Sequence, residues 1–394
     1  MCHLAYTFYE SDNRVIRYAR EMSSQGDEVD VIALRSRGQS FIGRSDGVRV
    51  IRIQRRSITE KSAAAYLAKL VWFLAKATTL LTGLHLLRRY DVIHVHNVPD
   101  FLVFAALLPK LTGARIILDI HDILPELYRG KFGAGDQSTI FKLLLRVERA
   151  CCSFADHVIV ANDLWHATLS RRSAKHCTTI LNYPDTSLFK PCPVERRPSD
   201  NQFVFLYPGS LNHHQGVDVA IAAFSLAKNA MPNSQFHVYG DGPARPSLVR
   251  LARDLAIESD VKIRDRVPIA EMATIMSSAD AGVVPKRADG FGNEAFSTKI
   301  LEFMASGVPV IVSRTRVDEH HFDSTLVRFF GSGDEHELAA AMVDTFQNRD
   351  ESLKRAEAGL KFAVRNSWQE RRGDYRQLIA SLVSPSRSHQ AAFR

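Results

Sequence analysis

The chain lacks several features that would have narrowed its class at once. It has no C-x-x-C pair, and its five cysteines (Cys2, Cys151, Cys152, Cys177 and Cys192) are an odd number. That argues against a disulfide framework or a cysteine-built zinc site and reads as reduced cytosolic thiols. No charged n-region leads into an apolar stretch and a small-residue cleavage site, so no signal peptide is expected. No G-x-G-x-x-G follows an opening strand, which counts against a nicotinamide dehydrogenase. There is no short-period repeat. Acids are scarce in one block: residues 31–90 hold 12 Lys/Arg, from Arg35 to Arg89, against only Asp46 and Glu60. The net charge of the whole chain is +8, so the excess is local and predicts one basic face on the first domain.

With 394 residues, 45% hydrophobic and 24% charged, the composition is that of a soluble globular enzyme with two domains. Short apolar strands alternate with helical stretches. Strands are expected at His3 to Phe8, Glu28 to Leu34, Val48 to Ile53, Asp91 to His96, Arg115 to Asp119, His157 to Ala161 and Thr178 to Leu181. Asn13 to Ser24 reads as a helix stopped by Gly26. Residues 185–202 are polar with three prolines and read as a linker. Alternation resumes with strands at Phe203 to Tyr207, Gln235 to Tyr239, Asp260 to Ile263, Ala281 to Val284 and Val308 to Val312. The expected fold is α/β, with two Rossmann-like doubly wound domains, 1–184 and 203–366, facing across a cleft. A helix at 367–383 is placed to cross back to the first domain, and 384–394 is a frayed tail. Ligands in such sheets bind at the carboxyl ends of the strands.

Residues 62–87 form a long apolar helix broken by Lys69, Lys76 and His85. A spanning helix rarely holds such charges. Packing into the core is one reading. The other is contact with an anionic membrane surface through residues 31–90, with Arg49 to Arg56 and Arg88-Arg89 drawn to lipid. No nucleic-acid module accompanies the charge, so no nucleic-acid partner is expected.

The most informative segment is DGFGNEAFSTKILEFMASGVPV, residues 289–310. A buried strand feeds a polar loop, Ser297 or Thr298 is a good N-cap, and Gly307-Val308-Pro309 ends the helix. A helix start at the carboxyl end of a strand offers free N–H groups and a positive dipole end to a phosphate. Lys299 in the first turn is opposed by that dipole, which an anion would relieve; pointing into water is the alternative. Glu294 and Glu302 are eight apart. One suits a sugar, the other a ribose diol, since a carboxylate accepts two hydroxyl hydrogens.

Glu294 to Pro309 resembles the E-x7-E region of the retaining glycosyltransferases of family 4, ending in E-x-M-A-x-G-x-P-V. Gly240-Asp241-Gly242-Pro243 is similar to that family's G-x-G-P loop, and Tyr207 to Leu211 to its first donor-domain loop. The likeness is strong over 203–312 and looser over the first domain. It implies the GT-B fold, with a nucleoside-diphosphate sugar (UDP or GDP favoured) on the second domain and a glycan or lipid-linked acceptor on the first. Glu302 would hold the ribose, Glu294 the donor sugar, and the Ser297–Thr298 backbone the distal phosphate. Gly209, Ser210, Gly240 and Gly242 would line the diphosphate, and Arg266-Val267 the base. The family usually has Arg where this chain has Ser210, and a Lys four or five residues on, absent near His214-Gln215-Gly216. Lys299 is the first candidate to supply that charge, then Lys286 or Arg287.

In the first domain His121, after the strand ending at Asp119, resembles a histidine at the cleft near the donor sugar, with a second-layer role as the alternative. His94 and His96 share one face; His96 with Asn97 is the better acceptor contact and His94 is structural. Asp12, Asn13 and Arg14 stand where the family more often has Gly-Gly, and would bind acceptor hydroxyls or a phosphate, unless Asp12 merely caps the helix. With no D-x-D in the chain, no metal and no further cofactor are expected. A sugar-nucleotide epimerase of similar shape and a non-catalytic sugar-nucleotide binder remain as alternatives. The implied role is cell-surface or exopolysaccharide synthesis in the cytoplasm, at the inner face of the membrane for a lipid-linked acceptor.

Overall fold

The computed structural model describes the chain except residues 57–62, 127, 129–137, 176, 193–201, 291 and 384–394. The tail and the middle of the expected linker lie outside the described residues. The chain divides into two compact units: Met1–Asn182 together with the chain from Arg372 onward, and Tyr183–Arg371.

The first unit is built on an eight-stranded sheet: β1 (Cys2–Ala5), β2 (Asp30–Arg35), β3 (Ile42–Ser45), β4 (Val48–Arg55), β5 (Val92–His96), β6 (Arg115–Ile120), β7 (His157–Val160) and β8 (Cys177–Thr179), in the order β3-β4-β2-β1-β5-β6-β7-β8. All neighbours are parallel except β3 and β4. The strand β3, absent from the sequence reading, joins β4 through Asp46-Gly47, both at positive φ. That is the two-residue turn whose twist suits a hairpin. Parallel register sets the chemistry of the sheet's polar face. His3 lies beside His94, and His96 beside Asp119. Ile93 and Val95, pointing the other way, join the core with the helix Ala63–Arg88. The last helix, Trp368–Val383, gives its later turns to this unit: Tyr375 reaches His94 and Arg376 pairs with Glu21.

The second unit has six parallel strands: β9 (Phe203–Pro208), β10 (Ser234–Tyr239), β11 (Val261–Arg264), β12 (Ala281–Val284), β13 (Val310–Ser313) and β14 (Arg328–Phe330), in the order β11-β10-β9-β12-β13-β14. Along β9 the alternation of side chains sorts two cores. Phe203, Phe205 and Tyr207 pack with the helices Val217–Ala227 and Glu335–Gln347; Leu206 packs with Thr298–Ala305. The chain leaves β9 toward β10 and β11, then returns to its other side at β12. The switch point of the sheet therefore lies between β9 and β12, where open α/β sheets take their ligands.

Candidate functional site

In the second unit, the loops after β9 and β10 meet the start of the helix Thr298–Ala305 beside that switch point. Gly209 follows β9 with φ +151°, and a Cβ there would collide with the Lys299 side chain. At Gly240, after β10, a Cβ would run into the Gly209 carbonyl oxygen. The two loops are laced together by Gly209 N–H donating to the Tyr239 carbonyl (2.8 Å) and Leu211 N–H to that of Asp241 (2.9 Å). Only residues without side chains allow this approach. A Cβ at Gly242 would also run into the Leu211 backbone, and Ser210 is exposed.

The helix Thr298–Ala305 starts beside these loops with no side chain capping it. Ser297 holds the N-cap position, yet its hydroxyl is buried with no hydrogen-bond partner. Lys299 in the first turn lays its Nζ 3.1 Å from the Gln215 carboxamide oxygen and 5.5 Å from the centre of the Tyr207 ring. Burial pushes its pKa down, with Lys286 acting in the same sense against Glu302, to about 8. Uncapped N–H groups, an unpartnered buried hydroxyl and an ammonium destabilised by its surroundings meet at one point. An anion would satisfy all three. Gln215 was missed from sequence, its one signal being that it sits where a Lys was sought; Tyr207 lay in the segment likened to the first donor-domain loop but was given no role of its own.

Lys286 and Arg287 need correction as sources of charge for a diphosphate. Lys286 is buried, 3.0 Å from the Asp318 carboxylate, and donates to the Ala295 carbonyl (2.6 Å). Burial lowers its pKa and Asp318 opposes the shift. Arg287 pairs with Asp218 and donates to the His213 carbonyl (3.2 Å). Both hold loops in place. Lys286 holds the chain at Ala295, and Asn293 is pinned by accepting from Arg316 N–H (2.7 Å). Lys286→Met should therefore cost about 3–5 kcal/mol by leaving Asp318 buried and unpaired. Lys299→Met should leave stability unchanged or slightly raised, since an unfavourably placed charge is removed. Urea midpoints of the two variants check this. Glu294 in the loop pairs with Arg316 (2.8 Å). Glu302 is half-buried on the helix, one turn after Lys299, and Arg266-Val267 follow β11 with Arg266 exposed.

In the first unit the centre is Asp119, fully buried at the end of β6. Arg14 grips it with two bonds, Nε to Oδ2 (2.8 Å) and Nη2 to Oδ1 (2.7 Å). His96 Nδ1 (3.0 Å) and His121 Nε2 (2.9 Å) approach the same Oδ2. Burial alone would raise the Asp119 pKa, but Arg14 and His121 hold it well below the usual carboxylate range. An ionised carboxylate accepts only, so both histidines donate to it. His96 Nε2 is then an acceptor, filled by His3 Nδ1 at 3.0 Å. His121 is left with Nδ1 as its remaining polar atom, its ring held by Asp119 and its N–H donating to Asn97 Oδ1 (2.7 Å). Burial lowers the pKa of His3, His94 and His96, keeping them neutral.

Four acceptor contacts expected from sequence change accordingly. His96 is buried and bonded at both nitrogens. Arg14 is buried on Asp119. Asn97 is buried and donates to Asp100 (2.9 Å) and to the Asp122 carbonyl (2.7 Å). Asp12 caps the helix Asn13–Ser24, accepting from Val15 N–H at 3.2 Å. His96, Arg14 and Asn97 are thus engaged inside the unit and Asp12 is half-buried at its cap, which leaves Asn13 as the one exposed member of the set.

Two family models match this chain. Residues 202–348 match "Glycosyl transferases group 1", and residues 12–181 match "Glycosyl transferase 4-like domain". The chain belongs to the family 4-like glycosyltransferases. Among curated relatives, it is 26% identical over 217 residues to the GDP-mannose-dependent alpha-(1-6)-phosphatidylinositol monomannoside mannosyltransferase of Mycolicibacterium smegmatis, covering 53% of this chain and 56% of that one. It is 26% identical over 243 residues to D-inositol 3-phosphate glycosyltransferase 1 of Catenulispora acidiphila, covering 57% and 56%. The chain spans a little over half the length of these relatives. Among solved structures, sucrose-phosphate synthase from Thermosynechococcus elongatus superposes with a TM-score of 0.78 at 20% identity, covering 96% of this chain and 99% of that one. Anabaena HepE in complex with UDP and glucose gives 0.73 at 15%, with the same coverage. These likenesses establish the GT-B fold for this chain.

Proposed function

We propose that this glycosyltransferase moves a sugar, with retention of anomeric configuration, from a nucleoside-diphosphate sugar to a hydroxyl of a glycan or lipid-linked acceptor. The observation that carries the reading is the start of the helix Thr298–Ala305: Ser297 Oγ buried without a partner, no cap, and Lys299 beside the Gly209 loop. The donor's distal phosphate sits there, on backbone N–H groups and the Lys299 ammonium. Glu302 accepts from the ribose hydroxyls, Glu294 contacts the sugar, and Arg266-Val267 flank the base, UDP or GDP. When the C1–O bond breaks, negative charge grows on the departing diphosphate, and Lys299 and the helix terminus stabilise it. The acceptor hydroxyl forms the new bond on the same face and gives its proton to a phosphate oxygen of the leaving group. Lys299 supplies the positive charge, so departure is independent of metal. His121, oriented by Asp119, hydrogen-bonds a sugar hydroxyl through Nδ1. The setting is cell-surface or exopolysaccharide synthesis in the cytoplasm, at the inner face of a membrane when the acceptor is lipid-linked.

The test is product analysis with UDP-, GDP- and ADP-sugars, with and without a panel of glycan and polyprenyl-linked acceptors. Acceptor-dependent release of nucleoside diphosphate, with an anomeric proton coupling unchanged from donor to product, is expected. Interconversion of the donor without an acceptor would identify an epimerase. Binding without turnover across the panel would identify a non-catalytic binder.

A further inference from the structure

A helix packed on a soluble domain turns charged residues toward water; one that is apolar all round is buried or meets lipid. Ala63–Arg88 breaks the first pattern. Its inner stripe, Leu70, Phe73, Ala77 and Leu81, is buried in the core of the first unit, with Phe73 5.0 Å from the Tyr6 ring. Its outer stripe, at spacings of three and four, is Ala68, Trp72, Ala75, Thr79, Gly83 and Leu86, all exposed and none charged. Trp72 is 59% exposed, with Val71 and Leu67 beside it. Across from them the hairpin presents Phe41 and Ile42, also exposed. Between hairpin and helix runs a mostly apolar groove of about 480 Å³, lined by Phe41, Ile53, Trp72, Thr79 and Leu80, with Lys76 on its lining.

Cations stand around this face. Lys76 lies with its Nζ 5.0 Å from the centre of the Trp72 ring. Arg44, exposed, stands two residues along its strand from Ile42 and so on the same side of the hairpin. Arg55, also exposed, lies two residues beyond the groove-lining Ile53, and neither arginine forms an ion pair among the described residues. Other members of the basic block do not contribute equally: Arg49 pairs with Asp30, Arg52 with Glu10 and Arg88 with Glu28.

We infer that this face docks on an anionic bilayer surface, with Trp72, Val71 and Phe41 entering the headgroup–acyl boundary and Lys76, Arg44 and Arg55 meeting lipid phosphates. A second copy of the chain fits poorly, because it would bring two surfaces of the same positive sign together. An anionic leaflet gains roughly 1 kcal/mol for each basic residue brought to it. The helix lies on the membrane and does not cross it. By length and composition it is apolar enough to span, but its inner stripe belongs to the sheet's core. This docking does not depend on the donor reading, since it involves the first unit alone.

The test is co-sedimentation of the full chain with vesicles of phosphatidylcholine, or of phosphatidylcholine with about 30 mol% phosphatidylglycerol. Binding to the anionic vesicles, weakened by salt, is expected, with little binding to the neutral ones. Trp72→Glu should weaken partitioning about tenfold or more, and Lys76→Gln by a smaller, salt-sensitive factor. Trp72 is exposed, so circular dichroism and the urea midpoint of its variant should match wild type. Failure of the wild type to bind anionic vesicles at low salt overturns the inference. So does unchanged binding by Trp72→Glu. Self-association in sedimentation velocity that Trp72→Glu abolishes, without vesicle binding, would assign the face to a second copy instead.

Discussion

Asp119→Asn should lower the unfolding free energy by about 3–5 kcal/mol, because it leaves the buried Arg14 guanidinium without its counter-charge. Arg14 makes two bonds to Asp119 and is itself 4% exposed, so water cannot replace the carboxylate. Turnover should fall further than stability explains. His121 Nε2 now donates to Asp119; with an amide in its place the ring loses the partner that fixes its tautomer. Growth at low temperature, or activity assayed well below the melting transition, separates the two effects. His121→Ala should reduce kcat without the stability loss, since its ring is partly exposed and no charge is stranded. The pH dependence has a definite sign. His3, His94 and His96 titrate lower in the folded chain than unfolded, so the unfolded state binds more protons on the acid side. Stability should therefore fall as pH drops below about 6.5, before ordinary carboxylates titrate. The Asp119 contribution is present above the usual carboxylate value and disappears last, as pH falls through its depressed folded value. Urea midpoints from pH 8 down to pH 4 measure the histidine contribution, and only midpoints continued below the usual carboxylate value, about 3.9, reach that of Asp119.

The second large effect concerns donor affinity. Lys299 titrates near 8 in the free protein, and a bound diphosphate raises that value. Nucleotide-sugar affinity should be flat below that pH and fall as pH rises through it, until the higher value of the complex is passed. The donor's diphosphate diester has no ionisation in this range and its uracil or guanine ring N–H ionises only toward the alkaline end, so a slope centred near the Lys299 value of about 8 belongs to the protein. Lys299→Met should weaken binding by about 2 kcal/mol, roughly thirtyfold, and flatten the profile. Calorimetric titration at several pH values reads both features. A wild-type profile that stays level between pH 7 and 10 would remove Lys299 from the phosphate site.

Much of this was legible in the sequence because it is local. Strand–helix alternation gave two doubly wound domains, and helix Asn13–Ser24 and strand Ala281–Val284 fall where apolar spacing puts them. Lys299 stood out because a cation in a first helical turn conflicts with the dipole. Pairings distant in sequence were not legible. Arg14 and Asp119 are 105 residues apart, and nothing in either segment announces that one neutralises the other. The alternation of His94 and His96 shows that they share a face, but not that the helices Asn13–Ser24 and Trp368–Val383 supply Tyr18 and Tyr375 against it. Lys286 at a strand end looked like an anion ligand; Asp318, whose helix is only six residues long, turned it into a buried post. The strand β3 was passed over because its side chains alternate between exposed and half-buried, giving no apolar signal, although Asp46-Gly47 marks its turn.

The central claim is that a nucleoside diphosphate is seated at the amino end of the helix Thr298–Ala305 with Glu302 on its ribose. The most direct measurement is a thermal-shift panel of UDP-, GDP- and ADP-sugars on the wild type and Glu302→Ala. One donor class should raise the wild-type Tm, and the variant should lose most of that rise while keeping its ligand-free Tm. Undiminished stabilisation of Glu302→Ala by the same donor would contradict the account.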